Sequence, residues 1–264
     1  MEIPSLIIAL GVLLAIFLAS RAWPVAERRG TELKGVQDLE APSSDSIWIG
    51  TYNINRGRGF DRKANLAGIA EVIESCDIVG LQEVEGTSLF RPQDQATLLG
   101  RLLRRLSHFV PTRKLLFFNQ RGNGLLSRIA PEEWHTMPVY PSRGRAHRNF
   151  TIYRLSFGGR EVHLINTHLS KPAEAQAPFE AVMQAFKAFP REVLVGDFNA
   201  SVDHPVMRRF LPEDAVDALD TYSGFSYRRV EMIFVRGLQV LETRSMAEGT
   251  SDHAFYAASI ALNE

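Results

Sequence analysis

Five short segments combine apolar runs with the polar residue types that bind metal ions and move protons. They read TYNIN (51–55), LQEVE (81–85), INTHL (165–169), VGDFN (195–199) and SDHAF (251–255). Each is typical of a strand end that delivers polar side chains to one shared site. Together they supply two amides, three carboxylates and two imidazoles, namely Asn53, Asn199, Glu83, Asp197, Asp252, His168 and His253. Hard oxygen ligands with histidines suit a magnesium-type ion acting on a phosphate ester.

Asp197 and Asn199 stand two positions apart, so an extended chain would place both side chains on one face. The aspartate can bind or orient an attacking water, and the amide can donate to a phosphate oxygen or hold that water. The alternative is an Asx turn that closes the strand. Gly196, just before them, leaves room for close approach of another backbone or a ligand.

Glu83 follows an apolar run that predicts a buried central strand. A carboxylate in such a place must be paired or metal-bound to avoid a large desolvation cost. We therefore interpret Glu83 as a metal ligand, with an exposed strand-end glutamate as the alternative. Glu85, in the same segment, is predicted to face solvent.

Two histidines lie at the ends of an apolar segment and of a loop, and both are candidates for proton transfer. His168, at the end of a strand, can protonate a leaving oxygen or stabilise charge on phosphorus. His253 can act as a base or donate to phosphate if a carboxylate fixes its tautomer. Asp252 can bind metal or orient a neighbour. Ser251 beside this pair suggests a triad, but adjacent side chains point apart and the glycines of a nucleophile elbow are absent, which argues against a serine hydrolase.

The elements that must position these residues alternate between short apolar strands and amphipathic helices. Strands are predicted at 47–54, 78–82, 115–118, 125–127, 193–195, 230–235, 239–242 and 254–262, with a hairpin of 150–157 and 160–166 around Gly158-Gly159. Helices are predicted at 62–75, 93–107 and 174–188, the last kinked or started by Pro178. Two mixed sheets packed face to face, with helices outside, would bring the strand ends to one rim.

Composition and charge narrow the class of protein. The chain has 264 residues, a formal net charge of zero and one cysteine, Cys76, which excludes an intrachain disulfide and a multi-cysteine zinc site. An uncharged apolar run at 3–19 predicts a membrane anchor or signal peptide over 1–20. Residues 21–46 are predicted to be a linker, and 47–264 a single catalytic domain. Arg21, Arg28 and Arg29 after the run favour a single-pass anchor with a cytoplasmic domain, export being the alternative.

The five segments, in this order, resemble those of the endonuclease/exonuclease/phosphatase superfamily, the DNase I-like metal-dependent phosphoesterases. The resemblance runs from about Ile47 to the C-terminus. It implies an α/β fold, a four-layered α/β/β/α sandwich of two packed mixed sheets. It also implies hydrolysis of a phosphate ester with Mg²⁺, Mn²⁺ being the alternative ion.

The resemblance also implies roles for individual residues. Asn53, Glu83 and Asp252 correspond to metal-side residues, and Asp197 and Asn199 to the pair that positions water and phosphate. The remaining correspondences are the catalytic histidines and the phosphate-binding and orienting groups, namely His168, His253, Asn123, Arg56 and Glu231. At 231 the family often has aspartate, so the carboxylate here is one methylene longer. His168, where the exonuclease III branch tends to carry tyrosine, argues against a dedicated abasic-site enzyme.

Two basic clusters flank the predicted site strands and could bind phosphate. They comprise Arg56, Arg58, Arg62 and Lys63, and Arg143, Arg145, His147 and Arg148. The first hypothesis is a phosphodiesterase or nuclease that uses an activated water in an in-line attack. The alternatives are the same chemistry on a lipid or inositol-phosphate headgroup at a membrane, and a non-catalytic binding module. We expect a monomer.

Overall fold

The computed structural model describes residues 3–20, 22–35, 45–115, 118–141, 146–173, 175–220, 229–247 and 249–263. The helices are α1 (Ile3–Ser20), α2 (Leu66–Ile73), α3 (Gln95–Leu103), α4 (Ala177–Ala185) and α5 (Pro205–Phe210). The strands are β1 (Ala22–Pro24), β2 (Arg28–Gly30), β3 (Ser46–Asn53), β4 (Ile78–Glu85), β5 (Leu106–Leu115), β6 (Phe118–Ser127), β7 (Glu133–Val139), β8 (Arg148–Phe157), β9 (Arg160–His168), β10 (Glu192–Asp197), β11 (Val216–Asp217), β12 (Glu231–Arg236), β13 (Leu238–Met246) and β14 (Phe255–Leu262).

The strands form two seven-stranded sheets, and both are mixed. The first has the order β1-β5-β6-β4-β3-β14-β13, and the second the order β11-β12-β10-β9-β8-β7-β2. In the first, β3 runs parallel to β4 and antiparallel to β14. In the second, β10 runs parallel to β9 and antiparallel to β12. The parallel pairs place the carboxyl ends of β3, β4, β9 and β10 at one rim.

Three apolar clusters separate four layers. Between the sheets, Ile49 of β3 meets Val193 of β10. Outside the first sheet, Ile69 of α2 packs on the opposite face of its strands. Outside the second sheet, Val182 of α4 packs against Phe234 of β12. The predicted α/β/β/α sandwich of two mixed sheets is confirmed.

The helices are shorter than the sequence predicts, because capping residues fix their ends. The side chain of Asp94 accepts a hydrogen bond from the Thr97 N–H, so α3 starts at Gln95. Arg104 takes a left-handed conformation and ends α3, which frees the next residues to form β5. The predicted start of α4 at Glu174 lies outside the described residues, and α4 begins with Pro178 in its first turn.

The N-terminal segment departs from the prediction. Ile3–Ser20 is a helix of 18 residues. Within the described ranges, no helix has the length and apolar character that crossing a membrane requires, so the predicted transmembrane anchor is not supported. In the predicted linker, β1 pairs with β5 and β2 pairs with β7, which adds one edge strand to each sheet.

Candidate active site

The alternation of side chains along the strands explains why polar groups meet at one rim between the sheets. Along β10, Val193 and Val195 face the layer between the sheets, so Asp197 faces it as well. The same rule places Asn53 of β3, His168 of β9 and Glu231 of β12 on inner faces. Gly196 makes this packing possible, because a Cβ there would lie 2.2 Å from the Thr167 carbonyl oxygen.

Asp197 is the centre of the hydrogen-bond network at this rim. Its carboxylate accepts bonds from the Asn53 side chain at 2.8 Å and from the Asn199 backbone N–H at 2.9 Å. Its partner across the β10–β12 ladder is Glu231, and both carboxylates are buried. Burial, followed by the nearby charge of Glu231, raises the pKa of Asp197 above the usual range of an aspartate. The group is therefore suited to take a proton near neutral pH.

His253 is paired with Glu231. Its Nδ1 atom is hydrogen-bonded to Oε1 of Glu231, and its side chain is partly exposed to solvent. Burial opposes the charged form of the imidazole, but the hydrogen bond and charge of Glu231, aided by Asp197 and Asp252, raise the pKa of His253 to about 9. An imidazolium results at neutral pH, with its Nε2–H directed away from Glu231. The longer carboxylate at 231 therefore reaches the histidine, as the orienting role requires.

His168 is held in the neutral form, in contrast to His253. It is buried, and the Arg148 guanidinium lies 2.8 Å from its Nδ1 atom. Because arginine can only donate, Nδ1 accepts and the ring proton resides on Nε2, which lies 3.4 Å from Oδ2 of Asp197. Burial, together with the charges of Arg148 and His253, lowers the pKa of His168 well below its usual range. His168 is thus a neutral imidazole beside Asp197.

Asn199 and Ser251 tie the surrounding loops to the strands. The Asn199 amide donates to the Leu169 carbonyl at 2.9 Å, and its backbone bond to Asp197 is an Asx turn, so the functional and the structural interpretations of this residue describe the same geometry. The Ser251 hydroxyl donates to the Asn53 carbonyl oxygen at 2.7 Å, which gives it a structural role. Asp252, next to it, is exposed, with Oδ1 4.0 Å from Nε2 of His253.

The acidic side chains suit a divalent cation, and they fall into two sets. In the described part of the chain, the group whose ligand atoms lie within 4.8 Å of one another is Asp197, Glu231 and His253. Glu83, predicted as a ligand, lies on the neighbouring strand to Asn53, where its carboxylate is 3.5 Å from Arg121. Glu83 is partly exposed and Asp252 is exposed, and neither belongs to that group. Carboxylate and amide oxygens with one imidazole fit Mg²⁺ or Mn²⁺.

The two predicted phosphate-binding residues differ in their surroundings. Asn123 is buried and donates to Oδ1 of Asn149 at 3.0 Å, so its amide is occupied by the scaffold. Arg56 lies in the 3-10 turn Asn55–Gly57, directly after β3, with a left-handed backbone. Its carbonyl oxygen accepts a bond from Gln95 of α3, which fixes the turn beside the rim.

Sequence reasoning missed two residues that support the rim. Gln82 and Asn166 are hydrogen-bonded between the sheets at 2.9 Å, one step below the rim. Both occupy inward positions of otherwise apolar strands, a pattern that is visible in the sequence. Arg148 was named in a basic cluster, and its contact with His168 could also be found, because counting back from the Gly158-Gly159 turn places it opposite the residue that follows His168.

Comparisons with known proteins identify a family and solved structures of similar fold. The model of the "Endonuclease/Exonuclease/phosphatase family" matches residues 50–257. An endonuclease/exonuclease/phosphatase from Beutenbergia cavernae DSM 12333 aligns with a TM-score of 0.67 at 21% identity, covering 83% of this chain and 72% of that one. D. rerio TDP2 complexed with single-strand DNA product gives 0.59 at 16% identity, covering 82% and 99%. The human Nocturnin catalytic domain with bound sulfate gives 0.62 at 16% identity, covering 92% and 97%. No curated protein matches the chain.

Proposed function

Because the chain belongs to the endonuclease/exonuclease/phosphatase family, we propose that it is a divalent-metal-dependent phosphodiesterase that cleaves nucleic acid with an activated water. The observation that carries the proposal is the convergence of Asp197, Glu231 and His253 from three elements onto one rim. A carboxylate of raised pKa beside an imidazolium supplies both a base and a proton donor, and such groups cluster at functional sites.

In the mechanism, the substrate phosphate occupies the rim between Asp197 and His253. Asp197, oriented by Asn53 and Asn199, accepts a proton from water as the water oxygen attacks phosphorus. His253 directs its Nε2–H at a non-bridging oxygen or at the leaving oxygen, and Glu231 keeps the ring charged. The neutral His168, with Nε2 3.4 Å from Oδ2 of Asp197, packs against the carboxylate and helps to keep it in position.

A divalent ion fits the donors at this rim. Glu83, Asn53 and Asp252 would hold it, and Asp197 with Glu231 offers further carboxylate oxygens. When bound, the ion supplies Lewis-acid stabilisation of charge on the phosphate oxygens. The chain's own residues orient the substrate and hold protons at Asp197 Oδ and His253 Nε2.

Nucleic acid is the substrate that the surroundings of the site favour. The TDP2 structure contains single-strand DNA product, and the fold of this chain resembles it over most of its length. Beside the rim, three arginines line one pocket with Glu83, and Phe60 and Phe90 on the loops after β3 and β4 are exposed. Cationic and aromatic side chains around a groove are typical of single-strand binding. The alternative is the same chemistry on a lipid or inositol-phosphate headgroup.

The test compares hydrolysis of several substrates at a controlled concentration of divalent metal ion. The protein is incubated with Mg²⁺ or Mn²⁺ and with bis-p-nitrophenyl phosphate, a single-stranded DNA, a single-stranded RNA or sphingomyelin. We expect cleavage of the diester and of a polynucleotide, abolished by EDTA and restored by metal. Cleavage of sphingomyelin alone would favour the headgroup substrate, and cleavage of none of the four would leave the binding-module alternative.

Glu83→Gln tests the metal assignment. If Glu83 is a ligand, the metal concentration for half-maximal activity rises by about tenfold or more, because one charged oxygen donor is lost. Glu133→Gln, an exposed glutamate on β7, is the matched control and leaves the metal dependence as in the native protein. An unchanged metal titration for Glu83→Gln would remove this residue from the ligand set.

A further inference from the structure

A cationic groove lies along α3, on the outer side of the first sheet. It has a volume of about 570 Å³ and lies between α3, the start of β5 and the segment that contains Lys34. Thr97 and Arg101 of α3 lie one turn apart in its wall, and Lys34 is held opposite them by its backbone pairing with Ser107. Among the described residues that line this α3 groove none is acidic and four are cationic, namely Lys34, Arg101, Arg104 and Arg105.

The α3 groove is separate from the catalytic rim. Leu106, which follows Arg105, pairs with Ser127, and Ser127 also pairs with Ile78 at the amino end of β4. Glu83 lies near the other end of the same strand, at the rim. At about 3.3 Å per residue, the length of β4 between Ile78 and Glu83 is roughly 17 Å. The Arg105 end of the groove therefore lies at the opposite edge of the sheet from the site of the proposed hydrolysis.

Arg105 is a buried cation that lacks a carboxylate partner in the described part of the chain. Its two Nη atoms donate to the carbonyl oxygens of Ile73 and Glu74, and its Nε atom is buried with no hydrogen-bond partner among the described residues. Burial lowers the pKa of Arg105 to about 10, so the guanidinium stays charged at neutral pH. A buried charge without a counter-ion is costly, and an anion in the adjoining groove would supply the missing charge.

The other three cations add charge that the described residues compensate only in part. Arg101 donates to the uncharged Gln93 side chain at 2.8 Å, and the Lys34 ammonium lies 3.7 Å from the Asp94 carboxylate. The C-terminal end of a helix favours cations, which accounts for Arg101 and Arg104 on α3. It does not account for Arg105 or for Lys34 on the facing segment. Four cations around one groove thus share one neighbouring carboxylate.

We propose that the α3 groove binds a small molecule that carries two or more phosphate groups. Guanidinium groups bind phosphate through charge-assisted hydrogen bonds, which are often bidentate. The volume of about 570 Å³ falls within the range of about 300 to 1,000 Å³ that is typical of small-molecule sites. The hydroxyls of Thr97 and Ser107 donate to Asp94 and to the Lys34 carbonyl oxygen, so the cations are the groups left for the ligand. Binding here does not depend on the proposed hydrolysis.

The experiment titrates the full chain with tripolyphosphate and with orthophosphate by calorimetry, in EDTA and at low salt. We expect tripolyphosphate to bind at least about tenfold more tightly than orthophosphate, because it contacts more than one cation, each contact being a charged hydrogen bond. Arg104→Gln and Arg101→Gln should each raise the Kd of tripolyphosphate by about tenfold, the scale of one such bond. Both variants should keep the native rate of bis-p-nitrophenyl phosphate hydrolysis, since their side chains lie outside the rim.

Arg160→Gln is the matched control, because Arg160 is exposed at the start of β9 and does not line the groove; it should keep the native Kd. Thermal melting shows whether each variant is folded. An unchanged Kd in both groove variants would place the anion elsewhere and overturn the assignment, as would equal affinity for the two phosphates. If a single-stranded oligonucleotide loses affinity in Arg104→Gln but tripolyphosphate does not, the groove belongs to a nucleic-acid surface and the small-molecule assignment is wrong. Absence of diester hydrolysis with tripolyphosphate binding intact would contradict only the proposed function.

Discussion

The two ends of the β10–β12 strand pair carry the same kind of side chain under opposite electrostatic conditions. At one end Glu192 faces Arg236, with 3.0 Å between carboxylate and guanidinium, and Asp214 also binds that arginine. At the other end Asp197 faces Glu231. Opposite charges directly across a ladder stabilise it, and like charges destabilise it.

The difference between the two ends of the strand pair indicates that the Asp197 end serves catalysis. The Glu192 end points toward the outer helix layer, where Arg236 also donates to the Phe186 carbonyl at 2.7 Å. The Asp197 end points between the sheets at the rim, where His253 joins the pair. At the rim the charge of His253 offsets only part of the repulsion between the two carboxylates, and this arrangement indicates a functional role for the rim end.

The largest expected effect is a loss of activity when the Asp197 end of the strand pair is changed and the Glu192 end is not. Asp197→Asn removes the proposed base and should lower kcat by about 10³-fold, or about 4 kcal/mol of barrier, because an amide does not accept the proton of water. The measurement is the steady-state hydrolysis of bis-p-nitrophenyl phosphate, with circular dichroism to show that the fold is intact.

Glu192→Gln is the matched change at the other end, and it should keep kcat within about twofold of the native value. A loss at Asp197→Asn of less than about tenfold would contradict the assigned role. An equal loss in both variants would show that the strand pair acts through stability alone.

Glu231→Gln has the next largest effect, and it moves the pH profile. Glu231 raises the pKa of both Asp197 and His253, so its neutralisation lowers both pKa values. Since the mechanism needs an ionised Asp197 and a protonated His253, both limbs of the kcat/KM profile shift to lower pH, and kcat falls by about 10²-fold. Glu231→Asp keeps the charge and should shift the limbs less. NMR titration of the His253 ring checks the assignment, and an alkaline limb that stays in place would refute it.

The sequence predicts the rim better than the periphery, for a physical reason. Asp197 and His168 end runs of apolar residues, and inward alternation then fixes where their side chains point. In contrast, most of β5 escapes prediction. The predicted helix of 93–107 overlaps its first two residues, because the left-handed turn at Arg104 that ends α3 has no signal in the sequence. β7 escapes it since its sequence EWHTMPV has no clean alternation and contains Pro138.

The pairings within the site are less accessible to sequence reasoning. Glu83 is identified from its segment, but its bulge and its contact with Arg121 depend on a register shift that no local pattern shows. The Gln82–Asn166 contact joins residues from different sheets, 84 positions apart, so only the packing of the sheets reveals it. Local patterns thus identify most members of the site, whereas tertiary packing determines their partners.

The smallest expected effect is at the Glu192 end of the strand pair, where the change alters thermal stability and not activity. Burial raises the pKa of Glu192 to about 7, in spite of its hydrogen bonds to Phe189 and Arg236. A raised carboxyl pKa in the fold means that its stabilising contribution is complete below the usual value of 4.5 and is lost as the pH rises through about 7. Glu192→Gln removes this dependence. The thermal midpoint of the variant minus that of the native protein should therefore increase by a few degrees from about pH 5 to about pH 8. A difference that is constant or decreases over that range would show that Arg236 keeps Glu192 ionised throughout, and the two ends of the ladder would then differ only in the sign of the facing charge.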